Sequence, residues 1–342
     1  MINMVWVGKF RQAGKLGSLL LCSLWGFQCI AQSPLKLVAN PLPTMVAEEP
    51  GAPSARLNQL ITNAFAAINV DVLLETDRPA FSGSGLLTGR YDGEYAHFNL
   101  QDRRDNLLFS KTYLPSHLYL ASREHTLDEV SQFSHIPNSR VATTNSIANS
   151  TELRRVKAVS WARNPTVLDM FKQLSEGRAD YALEDGLILA EFNRLLADSA
   201  EQPLFLSPKP LITSGFTLSI RKDYPNAQQI LNDFDAYIAT IQKDGRFNKI
   251  MAITWTSKDI NADGTADWIT TADAHHEGPA PMSLKEVVPL DKTPTGTASL
   301  FYIDGKAYPD WQSAQQALSN TRALPRPSLL DHEVYKGMLK RW

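Results

Sequence analysis

The stretch that decides the fold is LSEGRADYALED, residues 174–185. A predicted helix ends in this stretch, and its apolar face is marked by Val167, Met170, Phe171 and Leu174. Gly177 ends that helix, and ADYALED follows as a strand. RVATT (140–144) reads as a strand ahead of the helix, and LILAEFNRLL as a second helix after ADYALED. Strands and helices that alternate in this way predict an α/β domain.

The same alternation extends toward both ends of the chain. LKLVAN (35–40) and VDVLLETD (70–77) read as strands. Between them, six apolar residues recur at helical spacing: Leu57, Leu60, Ile61, Ala64, Phe65 and Ile68. Strand, helix and strand in this order form a βαβ unit. Toward the C-terminus, FTLSIRK reads as another strand and residues 227–243 as a long helix.

The composition is that of an ordinary globular protein. The chain has 342 residues, of which 43% are hydrophobic and 20% charged, and its formal net charge is -2. That length suggests roughly two domains of about 100–200 residues each. Because there is no basic excess, we expect no nucleic acid as a partner.

The N-terminal segment has the pattern of a secretory signal peptide. Lys9, Arg11 and Lys15 precede the apolar run LGSLLLCSLWGFQCIA, which ends in small residues. This pattern predicts cleavage before Gln32, so that residues 1–31 are removed and the protein is periplasmic. A membrane anchor is the alternative, but about 15 apolar residues are short for a span. Both cysteines fall within this segment, so we expect no disulfide in the mature protein.

Five short stretches line up in order with one protein family. They are LLTGRYDG (86–93), DRRDNLLFSKTY (102–113), TLDEVSQFSHIPNSRVATTNS (126–146), LSEGRADYALED (174–185) and KDGRFNKIMAITW (243–255). Over residues 35–255 the chain resembles the periplasmic solute-binding proteins of extracellular family 3, the polar amino acid type that serves ABC importers. Each stretch alone is a weak signal, whereas all of them in the right order and spacing form a strong one.

The resemblance implies an α/β fold of the two-lobed, type II periplasmic-binding-protein-like kind, with the ligand between the lobes. Two strands would cross between the lobes, near residues 118–124 and 215–223. The first lobe would then comprise residues 35–120 and 217–255, and the second lobe residues 121–216. Such lobes close over a ligand by a hinge motion of the crossing strands.

The resemblance also implies an arginine that anchors the ligand. In this family an arginine six residues before the phenylalanine of a Phe-Ser pair, here Phe109, binds the ligand's α-carboxylate. That count points to Arg103 and leaves Arg104 as a surface charge. A guanidinium can grip a carboxylate through two parallel hydrogen bonds. The alternative is that Arg103 pairs with Asp102 or Asp105 on the surface.

The second anchor that the resemblance implies is Asp185, at the position of the acid that accepts from the ligand's α-ammonium. An acid at the carboxyl end of a strand also points toward the usual ligand crevice of an α/β lobe. The alternative is that Asp185 caps the helix that follows it, since Asp suits that position. Glu184 is the reserve candidate.

The chain departs from the family where the strand RVATT meets the next helix. The family has a glycine there, with a Ser or Thr that helps to hold the carboxylate, whereas this chain has TTNSIAN. Thr144, Asn145 and Ser146 could supply part of that function at the helix N-terminus. Tyr113 is a candidate aromatic of the cleft, with core packing as the alternative.

The composition changes beyond Trp255. Residues 256–299 are rich in Asp, Thr, Pro and Gly, which predicts a linker. Residues 300–342 predict a small C-terminal extension, with a hairpin around Asp304 and Gly305 and a short helix.

The predicted linker contains a calcium-like loop over residues 259–270. Asp259, Asn261, Asp263 and Asp267 have the spacing of calcium ligands in such loops. Thr270 stands where an EF-hand loop has its glutamate. An acidic turn closed by its own side chains is therefore the alternative to a Ca²⁺ site.

These features together predict a periplasmic solute-binding protein rather than an enzyme. We expect a monomer that captures a small polar ligand, in the first instance an amino acid, for an ABC permease. No cofactor is required for that function. Two alternatives stay open: a sensory or partner-binding module without transport, and a dehydratase-like enzyme on the same fold.

Overall fold

The computed structural model describes residues 33–40, 55–101, 104–124, 126–274, 287–319 and 328–342. The predicted signal peptide and the predicted anchor Arg103 lie outside these residues. Within the described ranges, no helix is long and apolar enough to cross a membrane.

A ten-stranded sheet runs through most of the described chain. Its main strands are β1 (Leu35–Ala39), β2 (Val72–Thr76), β3 (Gly93–Phe98), β5 (Leu114–Ser122), β6 (Arg140–Thr144), β7 (Ser160–Asn164), β8 (Tyr181–Asp185) and β10 (Ile212–Arg221). Two short strands, β4 (Leu107–Phe109) and β9 (Phe205–Leu206), pair with β10 and β5. The order is β2-β1-β3-β10-β5-β8-β6-β7, so the chain leaves the β1 to β3 half through β5 and returns to it through β10.

Helices cover the two halves of this sheet, which we call the first and second lobe. The first lobe contains α1 (Arg56–Ala67), α2 (Pro79–Thr88), α7 (Ala227–Lys243) and α8 (Arg246–Met251). The second lobe contains α3 (Asn145–Ala148), α4 (Thr151–Arg155), α5 (Val167–Ser175) and α6 (Gly186–Asp198), and a short 3-10 turn at Phe133–His135. Strands in one sheet with helices packed on it confirm the predicted α/β class.

Helix α5 shows how the deciding stretch becomes structure. Its four predicted apolar positions are all buried. The helix begins after Thr166, whose side chain accepts a hydrogen bond from the backbone N–H of Asp169 at 3.1 Å. After the helix, Gly177 has a φ of 63°, a left-handed conformation that glycine adopts without steric cost. The chain can therefore turn directly into β8.

Strands β5 and β10 join the two lobes. They pair antiparallel with each other, with Leu114 opposite Phe216 and Leu118 opposite Ile212. β10 also pairs with β3 of the first lobe, and β5 with β8 of the second. One continuous sheet thus passes through both lobes, and a hinge motion would bend it at these two strands.

The chain beyond α8 forms a second sheet where the sequence predicts a linker. Its strands are β11 (Trp255–Lys258), β12 (Asp267–Thr270), β13 (Val287–Pro289), β14 (Phe301–Ile303) and β15 (Lys306–Tyr308), in the order β13-β11-β12-β14-β15. Each strand has three or four residues, too few to show an alternating pattern among Asp, Thr, Pro and Gly. Trp255, Trp268 and Phe301 pack in one apolar cluster with α9 (Trp311–Ser319). A last helix, α10 (His332–Leu339), packs on α5 of the second lobe.

Candidate functional site

A cavity of about 730 Å³ lies beside the crossing strands, with residues of both lobes in its lining. The first lobe contributes Asn40, Arg78, Ala96, Phe98 and Gln101, and the crossing strands contribute Ser116 and Phe216. The second lobe contributes Thr144, Asn145, Ser146, Ile147, Asn149, Ser150, Thr151, Arg154, Pro165, Glu184, Asp185 and Ile188. Small-molecule sites typically have volumes of about 300–1,000 Å³, so the cavity is large enough for a small ligand.

Asp185 lies at the carboxyl end of β8, in the lining of the cavity. Its Oδ1 accepts from the backbone N–H of Leu187 at 2.9 Å and caps α6, and its Oδ2 accepts from the Ser116 hydroxyl at 2.6 Å. Burial raises the pKa of this carboxyl, and the Ser116 bond partly offsets that shift. A carboxylate has about four acceptor positions, so Asp185 can cap the helix and still accept from a ligand.

Glu184 precedes Asp185 and also belongs to the lining. Its Oε1 accepts from the backbone N–H of Asp185 at 2.9 Å. Its Oε2 is buried and has no hydrogen-bond partner within the described part of the chain. Burial raises the pKa of Glu184 to about 8. At neutral pH this carboxyl is therefore mostly protonated and adds little negative charge to the cavity.

The three polar residues that follow RVATT lie together in the lining. Thr144 is the last residue of β6 and precedes the four-residue helix α3. The hydroxyls of Thr144 and Ser146 are 3.1 Å apart and share a hydrogen bond. With Asn145 they bring hydroxyl and amide groups to the cavity, so the structure brings these predicted residues close to Asp185. Their role in binding stays a prediction.

Tyr113 lies apart from these residues, in the core of the first lobe. It is 1% exposed, its hydroxyl donates to the backbone oxygen of Tyr95, and its ring meets that of Phe234 edge-on at 5.6 Å. Burial raises the pKa of its phenol. The core-packing alternative thus describes Tyr113, because its side chain faces α7 rather than the cavity.

Arg104, expected as a surface charge, is half-buried. Its Nη1 donates to the backbone oxygen of Gly83 in α2 at 2.8 Å. A Cβ atom added at Gly83 would lie 2.6 Å from Arg104 Nη2, so the guanidinium packs closely on the helix. Arg104 therefore supports α2, and its neighbour Arg103 stays a predicted anchor outside the described residues.

Two arginines in the lining have no signal in the sequence. Arg78 precedes α2 as its N-terminal cap residue, and Arg154 lies in α4, where its Nη2 donates to the Thr151 hydroxyl at 3.1 Å. In the sequence Arg78 follows Asp77, and Arg154 is one of two consecutive arginines, patterns typical of solvated charges. Only the tertiary fold brings them to the same cavity.

The aromatic part of the lining comes from Phe98 and Phe216. Their rings are 5.1 Å apart, on the neighbouring strands β3 and β10. Both side chains are more than nine-tenths buried. The cavity therefore combines an apolar aromatic surface with charged groups from both lobes, as is common in small-molecule sites.

In the calcium-like loop the side chains bond to the loop's own backbone. Asp259 accepts from the N–H groups of Asp263 and Gly264, at 3.2 and 3.0 Å. The buried Asp267 accepts from Leu300 N at 2.8 Å and from Ile260 N at 3.3 Å. Within the described ranges, no group of three or more His, Cys, Asp or Glu side chains is placed to hold a metal ion. These contacts match the self-closed acidic turn, and Ca²⁺ binding by Asp259, Asn261, Asp263 and Asp267 stays a prediction.

The continuous sheet, the two crossing strands and the cavity between the lobes define a two-lobed, type II periplasmic-binding-protein-like fold. Among the solved structures that are similar to this chain are two GluR0 ligand-binding cores. The GluR0 ligand-binding core in complex with L-glutamate is 10% identical, with a TM-score of 0.53, and the match covers 65% of this chain and 98% of that one. The GluR0 ligand-binding core from Nostoc punctiforme in complex with L-glutamate is 17% identical, with a TM-score of 0.51 and coverages of 64% and 97%.

At these identities the likeness shows the fold alone, and it confirms the two-lobed fold that the sequence predicts. No protein-family model matches the chain, and no curated protein matches it.

Proposed function

We propose that this protein binds a small polar ligand, an amino acid or a close relative, in the cavity between its lobes and carries it to an ABC permease in the periplasm. The observation that supports the proposal is that basic and acidic side chains line one cavity. The basic residues are Arg78 and Arg154, and the acidic residue is Asp185. A zwitterion carries both complementary charges.

The chemistry of each group fits this ligand class. A guanidinium binds a carboxylate through charge-assisted, often bidentate, hydrogen bonds. Asp185 is buried at the end of β8 and is oriented by Ser116, so it can accept from an ammonium group with little loss of conformational freedom. Phe98 and Phe216 provide apolar surface for the rest of the ligand.

Transport is the part of the proposal that rests on the sequence pattern. The basic and apolar N-terminal segment supports export, and the five stretches shared with solute-binding proteins support import through a permease. A sensory module without transport would use the same cavity and differ in its partner.

Glu184 is not placed for proton-transfer chemistry. An enzyme on this fold would need an acid or base that a bound substrate can reach. Glu184 has a shifted pKa, but its Oε2 is buried and its Oε1 already accepts from the backbone. Its raised pKa is therefore explained by burial in the core.

The experiment that tests the proposal is a thermal-shift screen of the purified protein against amino acids, polyamines and organic acids, followed by calorimetry on the hits. A ligand that binds only the folded state raises the melting temperature by mass action. We expect at least one amino acid to raise it. If no compound of any class does so, the proposed function is contradicted.

A further inference from the structure

The two arginines of the cavity come from different lobes, and their guanidinium groups have no carboxylate partner among the described residues. Arg78 belongs to the first lobe and Arg154 to the second, and both are exposed. Neither forms an ion pair with a carboxylate among the described residues, whereas Arg90, Arg178, Arg194, Arg221 and Arg246 all do. The positive charges at the cavity are thus not neutralised by described acids of the protein.

The acids of the lining do not balance these charges. Asp185 and Glu184 are the acidic residues in the described lining, and both are at least nine-tenths buried. Glu184 is mostly protonated at neutral pH because burial raises its pKa to about 8. Two arginines therefore share the lining with one remaining carboxyl group, Asp185, whose pKa burial also raises, so the described lining has an excess of positive charge. In a cavity with apolar walls, such an excess of one sign attracts ligands of the opposite sign.

We propose that the cavity selects ligands that carry two carboxylates, such as an acidic amino acid, over neutral and basic amino acids. The inference deepens the proposed function and rests on it. One carboxylate is held by Arg78 from the first lobe and the other by Arg154 from the second, while Asp185 accepts from the amine. A ligand that binds residues of both lobes stabilises the closed conformation, because all of its ion pairs can form only when the lobes are closed.

Calorimetry with L-glutamate and L-glutamine tests this charge selection, since the two ligands have nearly the same shape and differ by one charge. We expect L-glutamate to bind at least about tenfold more tightly, as the loss of one charge-assisted hydrogen bond implies. Arg78→Gln and Arg154→Gln should each reduce L-glutamate affinity and narrow the difference between the two ligands. Arg155→Gln is the matched control, because Arg155 is the next residue of α4 and lies outside the lining.

Two results would overturn the inference and leave the proposed function standing. One is L-glutamine or L-arginine binding as tightly as L-glutamate. The other is unchanged L-glutamate affinity in both Arg78→Gln and Arg154→Gln. If no compound of the thermal-shift screen binds, the proposed function itself fails, and the charge selection fails with it.

A second inference rests on a different observation, the two attachments of the C-terminal extension. Its sheet is fixed to the first lobe through α7 and α8. Asn248 Nδ2 donates to Ile269 O at 2.9 Å, and the Thr256 hydroxyl donates to Asn248 Oδ1 at 3.1 Å. Lys258 Nζ donates to Gln242 Oε1 at 2.7 Å. The beginning of the extension is thus bonded to the lobe from which it emerges.

The end of the extension is attached to the second lobe. Tyr335 of α10 lies 6.4 Å from Phe171 and 6.0 Å from Phe192, between ring centroids. The Trp342 ring meets Phe192 at 5.0 Å and lies under the guanidinium of Arg123 at 5.3 Å. Burying aromatic side chains of this size makes a large contribution to docking.

We infer that the described parts of the C-terminal extension, residues 255–274, 287–319 and 328–342, act as a strap that limits how far the two lobes can open. The chain that starts on the first lobe ends on the second, so it is a third connection besides β5 and β10. An opening motion that separates α10 from the second lobe would break the ring contacts of Tyr335 and Trp342 and expose them to water. The strap therefore adds a free-energy cost to wide opening, which keeps the cavity close to the arrangement that binds ligand.

Spin labels on the two lobes test the strap by double electron–electron resonance. The labels go on Ser84→Cys and Asp198→Cys, both exposed, with the native cysteines replaced by serine. Without ligand, we expect the double variant Tyr335→Ala/Trp342→Ala to show a longer and broader distance distribution than the parent.

The matched control for the strap is Val334→Ala, because Val334 lies in α10 but is 54% exposed. We expect the parent distribution in this variant. If the double variant does not fold, Trp342→Ala alone provides the same comparison. A distance distribution identical to the parent in the folded variants would overturn the strap.

Discussion

The two lobes present different faces to the cavity. On the second-lobe face, polar groups are already held by hydrogen bonds within the protein, as Asp185 is by Leu187 N and Ser116, and Thr144 by Ser146. The first-lobe face presents the exposed side chain of Arg78 and the apolar ring of Phe98. Groups that are held in place lose little freedom on binding, whereas a long free side chain has to be ordered. Changes on the second-lobe face should therefore cost more affinity.

The strongest test of this comparison is Asp185→Asn. Asparagine keeps the size of the side chain and can still cap α6, but it removes the negative charge. We expect affinity for an amino acid hit to fall by about 10- to 100-fold, as the loss of a hydrogen bond to a charged group implies. Because burial raises the pKa of Asp185 in the free protein, the melting temperature without ligand should stay the same or rise.

Calorimetry and a melting curve on the same preparation check both expectations for Asp185→Asn. Thr166→Ala is the control, since Thr166 caps α5 in the same lobe and lies outside the cavity lining. It should lower stability without changing affinity. Equal losses of affinity in the two variants would mean that the stability of the second lobe, rather than the charge of Asp185, determines the affinity.

Glu184 gives a pH test of the second-lobe face. Its pKa is raised from 4.5 to about 8 in the folded protein, so the folded state retains a proton that the unfolded state loses between these values. The contribution of Glu184 to the free energy of unfolding is therefore greatest below pH 4.5 and decreases as the pH rises toward about 8. We expect Glu184→Gln to gain melting temperature relative to the parent over that range.

The matched control for Glu184→Gln is Glu129→Gln, because Glu129 is exposed. Melting curves from pH 5 to pH 8.5 should show the same pH dependence for this control and the parent. A parallel pH dependence in Glu184→Gln as well would show that Glu184 does not titrate differently in the folded protein.

The calcium-like loop contributes no residue to the described lining of either face of the cavity. Calcium binding there should therefore change the stability of the protein without changing its affinity for the cavity ligand. If the loop binds Ca²⁺ with a Kd of about 10⁻⁴ to 10⁻³ M, 10 mM calcium should stabilise the protein by roughly 1.4 to 2.7 kcal/mol. Asp263→Ala should abolish that shift and leave ligand affinity unchanged. No shift in the parent protein would favour the self-closed turn.

The smallest expected effect concerns Arg104 on the first-lobe side. Arg104→Ala removes the bond to Gly83 O and should destabilise the protein by about 0.5–1.5 kcal/mol, with little change in affinity. Arg103→Ala should do the reverse if Arg103 is the anchor. Calorimetry and chemical denaturation separate the two outcomes, and equal effects on affinity would contradict the assignment of the anchor to Arg103.

The fold could be predicted largely because its signals are local. Helix faces such as that of α5 and short stretches in order identify the α/β lobes, and each signal lies within about twenty residues. Of the second sheet, only the β14–β15 hairpin around Asp304 and Gly305 could be predicted, since the other short strands are stabilised by neighbours that are distant in sequence. Trp255 and Phe301 meet in one cluster only after folding.

The site could be predicted only on its second-lobe face. Thr144, Asn145, Ser146 and Asp185 stand at the ends of predicted strands, where an α/β lobe places ligand groups. Arg78 has no such marker, because it precedes a helix next to an aspartate. Tyr113 has the right residue type, but its direction relative to the sheet is decided by the packing of the first-lobe core.

The hydrogen bond between Ser116 and Asp185 has a mechanical consequence. Ser116 belongs to β5, one of the two strands that must twist when the lobes move, and Asp185 ends the neighbouring strand β8. A rotation of β5 therefore changes the orientation of the Asp185 carboxylate, and a force on that carboxylate is transmitted to β5 through this hydrogen bond. The next residue, His117, contacts the backbone oxygen of Pro289 in the C-terminal sheet through its Nε2, at 3.2 Å. Ser116 and His117, two successive residues of β5, thus connect this strand to β8 and to the C-terminal sheet, so the movements of these three parts are coupled.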